Sequence, residues 1–150
     1  MSVATRSDHG FTLLESMLAL ALLAICLALA LPAYDSARQR VRRAEGKAAL
    51  LRLMQQEQQI FAQRGSYVAF SATSGNPDQT GLRWFSGDTP ASSAYEIEAV
   101  SCSGATLAQC VVLRAQAGTA RVSRASRDSQ CALLTLDSVG RTYPLVQGCW

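Results

Sequence analysis

The sequence predicts an α+β protein: a long N-terminal α-helix packed on a small antiparallel β-sheet of three to four strands, with a disulfide-closed C-terminal region. Three observations carry that expectation. An apolar run near the N-terminus passes directly into a segment rich in helix formers. Alternating strand patterns appear only from Tyr95 onward. Four of the five cysteines fall in the last third of the chain.

Residues 1–10 (MSVATRSDHG) are polar and read as a leader rather than as part of the fold. From Met17 to Leu31 no residue is polar, and Phe11, Leu13 and Leu14 extend the run to the roughly 20 residues that span about 30 Å of hydrocarbon as a helix. Residues 11–33 are therefore expected to form a membrane or filament-core helix, and 34–65 its amphipathic continuation. Ala, Leu, Arg, Gln and Glu dominate that continuation, and all favour helix. Val41, Ala44, Ala48, Leu51 and Met54 step by three or four and are expected to form the core-facing stripe, widened by Leu50, Leu53 and Phe61. Gly65 is the stop signal. A continuous helix from Phe11 would be roughly 80 Å long, with a kink or weak point expected at Pro32 and a milder one at Gly46.

Residues 66–150 then form a head. Its first part, 66–94, is dense in Ser, Gly, Thr and Pro and lacks either period, so it reads as a loop region. The remainder, 95–150, carries the strand signals YEIEAV, CVVLRAQA and CALLTLD, with DSVG turning into RTYPL. The apolar face of that sheet is expected to lie on the helix stripe.

Cys102, Cys110, Cys131 and Cys149 allow three pairings. The sequential one, Cys102 with Cys110 and Cys131 with Cys149, is favoured because each closes a local loop between neighbouring strands. Such pairing implies an oxidising compartment, and the Cys131–Cys149 loop would contribute about 3 kcal/mol. A metal site is not expected, since no CxxC occurs and the single histidine, His9, is remote from the cysteines. No cofactor is expected either. Catalysis lacks support: GxSxG is absent and His9 sits in the leader. The net charge of +3 does not select a partner.

Glu15 is a carboxylate at the edge of a spanning run and so calls for a partner. A cut between Gly10 and Phe11 would create an α-amine about one helical turn away, on the same helix or on a neighbouring copy. GFTLLES, the apolar run and Pro32 resemble the N-terminal signature of type IV pilins and pseudopilins. The stretch CALLTLDSVGRTYPLVQGCW resembles the end of PilE-type minor pilins. The resemblance implies a pilin-like fold. It also implies cleavage after Gly10 by prepilin peptidase, methylation of Phe11, a role for Glu15 in recruiting the subunit, and Pro32 as the proline further along the helix.

The function so implied is a structural subunit of a type IV pilus, a minor pilin serving assembly and through it adhesion, twitching motility or DNA uptake. Its partners would be other pilin subunits through the N-terminal helix, the peptidase and the inner-membrane assembly platform. Its location would be the bacterial inner membrane, single-pass with a periplasmic head, and then the extracellular filament. The alternatives are a DNA-uptake (competence) pilin, a type II secretion pseudopilin, or a soluble periplasmic binding protein released at the ALA of residues 28–30. A positive-inside count places Arg38, Arg40, Arg42, Arg43 and Lys47 on the cytoplasmic side. The cysteines argue the opposite, and the basic cluster is then expected to serve helix packing or acidic filament neighbours. Arg121, Arg124 and Arg127, with Arg114, are candidate nucleic-acid contacts, although composition favours a solvated basic loop.

Overall fold

The computed structural model describes residues 12–74 and 81–150. Helix α1 (Leu13–Arg64) carries the first half of the chain, and the molecule divides into two compact units, Met1–Ala37 and Arg38–Trp150.

In the first unit α1 is preceded by Thr12, whose Oγ1 accepts the backbone N–H of Glu15 at 3.3 Å. Thr12 and Glu15 hold the spacing of a capping box, and Glu15 stands in the first turn, where the helix dipole favours a negative charge. All side chains from Leu13 to Leu31 are exposed, and an 18-residue window of α1 reaches a mean hydropathy of 2.4. By length and composition this helix can cross a membrane. The helix is assigned without a break through Pro32 and Gly46.

The second unit holds the core. Strands β1 (Tyr95–Ser101), β2 (Val111–Ala117), β3 (Leu133–Asp137) and β4 (Thr142–Tyr143) form one antiparallel sheet in sequential order. The register sets Tyr95 opposite Ala117, Leu113 opposite Leu136 and Thr135 opposite Tyr143. Alternation buries Tyr95, Ile97, Leu113 and Leu134 with Leu50, Leu53 and Met54 of α1, while Glu96, Glu98 and Arg114 fall on the other face. The loop region 66–94 guards the β1 edge: Phe70 bridges to Ala99, and Ile97 donates its N–H to the Trp84 carbonyl at 2.6 Å.

The stripe expected from periodicity is buried only in part, at Leu50, Leu53 and Met54. Val41, Ala44, Ala48 and Leu51 are exposed, and the buried face runs through Gly46, Ala49, Leu50, Leu53, Met54 and Glu57. The helix carries two apolar faces, and Gly46 decides between them. A Cβ there would stand 2.7 Å from Cδ2 of Tyr95, so only a glycine lets the ring lie on the helix backbone. Gly46 is a contact point rather than a weak point.

Cys102 is bonded to Cys110 across the β1–β2 turn, and Cys131 to Cys149, with Cα–Cα separations of 5.5 and 5.6 Å. Trp150 packs against the core beside the second bridge, its indole N–H donating to the Tyr143 carbonyl at 2.9 Å.

Candidate functional site

The connection between β2 and β3, residues 118–132, carries Arg121, Arg124 and Arg127, three of the six arginines of residues 66–150. It leaves β2 at Gly118, with φ +60°, where a Cβ would meet the Arg127 backbone N at 2.8 Å. Glycine is required here both by the left-handed backbone and by the return of the chain against it. Thr119 hydrogen-bonds Glu96, and Arg121 pairs with the same carboxylate at 2.9 Å. Val122 is buried, and the Ser123 N–H donates to the Ser93 carbonyl at 3.0 Å. A short 3-10 turn, Arg124–Ser126, follows.

Two arginines of α1 hold this loop from below. Arg42 donates to the Ala125 carbonyl. Arg43 grips Asp128 with two hydrogen bonds, Nε to Oδ2 at 2.6 Å and Nη2 to Oδ1 at 3.0 Å, and also reaches Gln130 at 3.1 Å and the Gly148 carbonyl at 3.3 Å. Asp128 in turn accepts the backbone N–H groups of Gln130 and Cys131. Burial works to raise the Asp128 carboxyl, but the Arg43 hydrogen bond and the two backbone donors outweigh it and hold the group below the usual carboxylate range. Tyr95, its hydroxyl donating to the Cys131 carbonyl at 3.3 Å, is pushed up to about 12, first by burial and then by Asp128.

The sequence-selected arginines therefore divide. Arg121 is engaged with Glu96, and Arg114 sits on the outer sheet face 3.5 Å from Glu98. Arg124 and Arg127 are exposed and have no acidic partner within 4.0 Å among the described residues. Of the basic cluster expected to serve helix packing or acidic filament neighbours, Arg42 and Arg43 are used to pack α1 against the β2–β3 loop. The Arg43–Asp128 clamp went unseen because its partners are 85 residues apart. The Thr12 cap, by contrast, was written locally as Thr-x-x-Glu. Gly10 and Phe11 lie outside the described residues, Glu15 is exposed, and Pro32 lies within α1. Among the described residues no cluster of three metal-ligating side chains occurs.

An exposed apolar N-terminal helix that runs into a disulfide-closed antiparallel head defines a pilin-type subunit. The chain belongs to the family described as "Type IV minor pilin ComP, DNA uptake sequence receptor", whose model matches residues 32–135. The prokaryotic N-terminal methylation motif matches residues 5–31. The chain is also similar to a type IV pilin of known structure from Shewanella oneidensis, at 20% identity over 75% of this chain and 97% of that one, with a TM-score of 0.48. No curated protein sequence matches it significantly. The protein is thus a prepilin, a non-enzymatic subunit held in the inner membrane by its apolar helix before assembly into a pilus.

Proposed function

We propose that this minor pilin is a DNA receptor of a type IV pilus and that its β2–β3 loop meets the DNA backbone through Arg124 and Arg127. The observation that carries the reading is the match of most of the head to a family described as a DNA uptake sequence receptor. This favours the competence alternative over a general role in pilus assembly. The chemistry of the loop agrees. Arg124 opens one 3-10 turn and Arg127 follows it, both exposed, and the turn is pinned to α1 by Arg42 and Arg43, so little loop freedom remains to be lost on binding. Glu96 and Glu98 on the outer sheet face repel phosphates, which confines a DNA backbone to the loop side. Arg121, already offset by Glu96, contributes less than its neighbours.

Phosphate contacts position a duplex and carry no sequence information. The loop therefore supplies affinity and register, and base reading falls to other side chains. At the other end of the chain, the reading takes Gly10 as the cleavage site, Phe11 as the methylated N-terminus, Glu15 as the carboxylate that meets the new amine, and Pro32 as part of the helix that leaves lipid for the filament.

The test is a salt titration of duplex DNA binding by the full chain in detergent. Each phosphate contact adds roughly 0.9 to the slope of log K against log salt, so R124Q/R127Q should lower that slope by about 2. Arg114→Gln, on the outer face, should leave it unchanged. An unaltered slope in the double variant overturns the loop assignment, and a wild-type chain that binds no DNA overturns the function.

A further inference from the structure

A cavity of about 280 Å³ opens within the second unit, between α1 and the segment 81–85. Its floor is apolar, made by the buried Ala49 and Leu53. Its rim is basic: Arg52 of α1 and Arg83 of the loop region are both exposed, and neither has an acidic partner within 4.0 Å among the described residues. Gln56 adds a half-buried amide, which can donate and accept at once. Phe85 forms an aromatic wall, with Cζ of Arg83 standing 5.9 Å from its ring centroid and Trp84 meeting it edge-on at 5.2 Å.

The cavity lies on the same side of α1 as the β2–β3 loop. Arg42, Glu45, Ala49, Arg52 and Gln56 follow one another at intervals of three and four, so at about 100° per residue they share one side of the helix. Arg42 holds the loop at Ala125, Glu45 accepts the Ala94 N–H just before β1, and the last three line the cavity. Arg42 and Arg52 are separated by roughly 15 Å of helix, about the length of four base pairs. One short stretch of DNA held by Arg124 and Arg127 is therefore long enough to reach the cavity.

A paired base cannot use such a recess. Its ring faces are covered by stacked neighbours and its pairing edge by its partner, which leaves only the groove edges to a protein. An unpaired base can use every wall, with its ring on Phe85 and Leu53, its edge on the Gln56 amide and its flanking phosphates on Arg52 and Arg83. We infer that the cavity is a subsite for one unpaired nucleotide of the bound DNA, turned out of the stack; this rests on the receptor reading above. The volume agrees, since it falls just under the roughly 300–1,000 Å³ of small-molecule sites and so suits a single ring and not a base pair. Unstacking costs least at a mismatch or at a base already single-stranded, so DNA open at that position should bind more tightly than a fully paired duplex.

Two measurements on the full chain in detergent test this. With fluorotryptophan incorporated, the fluorine NMR signal of Trp84, assigned with W84F, should shift saturably with a deoxynucleoside monophosphate while that of Trp150 stays in place. R52Q/R83Q should weaken this response about tenfold, and inorganic phosphate alone should not reproduce it. Both replaced residues are exposed, so the melting temperature of the head should hold. With 2-aminopurine placed in turn at each position of a duplex, its emission should rise at one position on binding, as it does when a base leaves the stack. R52Q/R83Q and Phe85→Leu should each abolish that rise, while the salt slope contributed by Arg124 and Arg127 persists. A Trp84 signal unmoved by the nucleotide, or an aminopurine dark at every position of a duplex that does bind, overturns the inference and leaves the receptor reading standing. A chain that binds no duplex overturns both.

Discussion

Two buried carboxylates of the second unit, Asp128 of the β2–β3 loop and Glu57 of α1, respond to pH in opposite senses. Asp128 is matched by the Arg43 fork and two backbone donors, which hold its pKa below the unfolded value of about 3.9. Its stabilising contribution is therefore present above that value and is lost as pH falls through the folded pKa. Glu57 has one oxygen bonded to the Val68 N–H at 2.9 Å, while its Oε1 has no hydrogen-bond partner among the described residues. Burial raises its pKa, with the Val68 donor opposing. A carboxyl raised in the fold contributes stability below its unfolded pKa and loses it as pH rises through the folded one. Asp128→Asn should cost roughly 3 kcal/mol at neutral pH, because it strips the Arg43 charge of its partner, and should flatten the acid limb of the stability curve. Glu57→Gln should raise stability at neutral pH and leave that limb in place. Urea unfolding of both variants between pH 3 and 8 decides the matter, and parallel pH profiles would refute the opposite roles.

At the scale of elements, the decisive contact is the one between α1 and β1 at Gly46. Gly46→Ala would gain about 1 kcal/mol of helix propensity. Against that gain, the new methyl would lie 2.7 Å from the Tyr95 ring, which is buried and tethered through its hydroxyl to the Cys131 carbonyl. Overpacking of this kind costs about 1–3 kcal/mol, so the net effect should be a loss of stability and a lower melting temperature for the head. A variant as stable as the parent would show that the ring has room to move. The same contact marks where the sequence stops being legible. The four strands were readable because each alternates over five or more residues or follows a glycine turn, and the helix because its composition is uniform. Which helical face turns inward was not readable: 3.6-residue spacing fits two apolar faces of α1, and the choice rests on Tyr95, 49 positions beyond Gly46. The loop arginines were visible as residues. Their division into Arg121, which is paired, and Arg124 and Arg127, which have no acidic partner among the described residues, needed the fold, which brings Glu96 to one and Arg43 beneath the others.

On the scale of the whole molecule, the two units make opposite demands on their surroundings. The head buries its own core, whereas every side chain from Leu13 to Leu31 is exposed and must find lipid or other helices. Glu15 stands at the edge of that demand, and two explanations compete for it: a local one, as part of a helix cap, and an assembly one, as the partner of an amine exposed by cleavage after Gly10. The geometry separates them. The cap hydrogen bond runs from the Glu15 backbone N–H to the Thr12 hydroxyl, so alanine at position 15 keeps it, and a cut before Phe11 leaves Thr12 in place. Thr12→Ala removes the cap, at about 1 kcal/mol, and keeps the carboxylate. If the carboxylate serves assembly, Glu15→Ala should yield a mature mass that still begins at Phe11, with a normally folded head, yet incorporate poorly into pili. Thr12→Ala should be processed and incorporated nearly as the parent is. Equal loss in both variants would reduce Glu15 to a capping residue, and a mature N-terminus other than Phe11 would remove the amine that the assembly role requires.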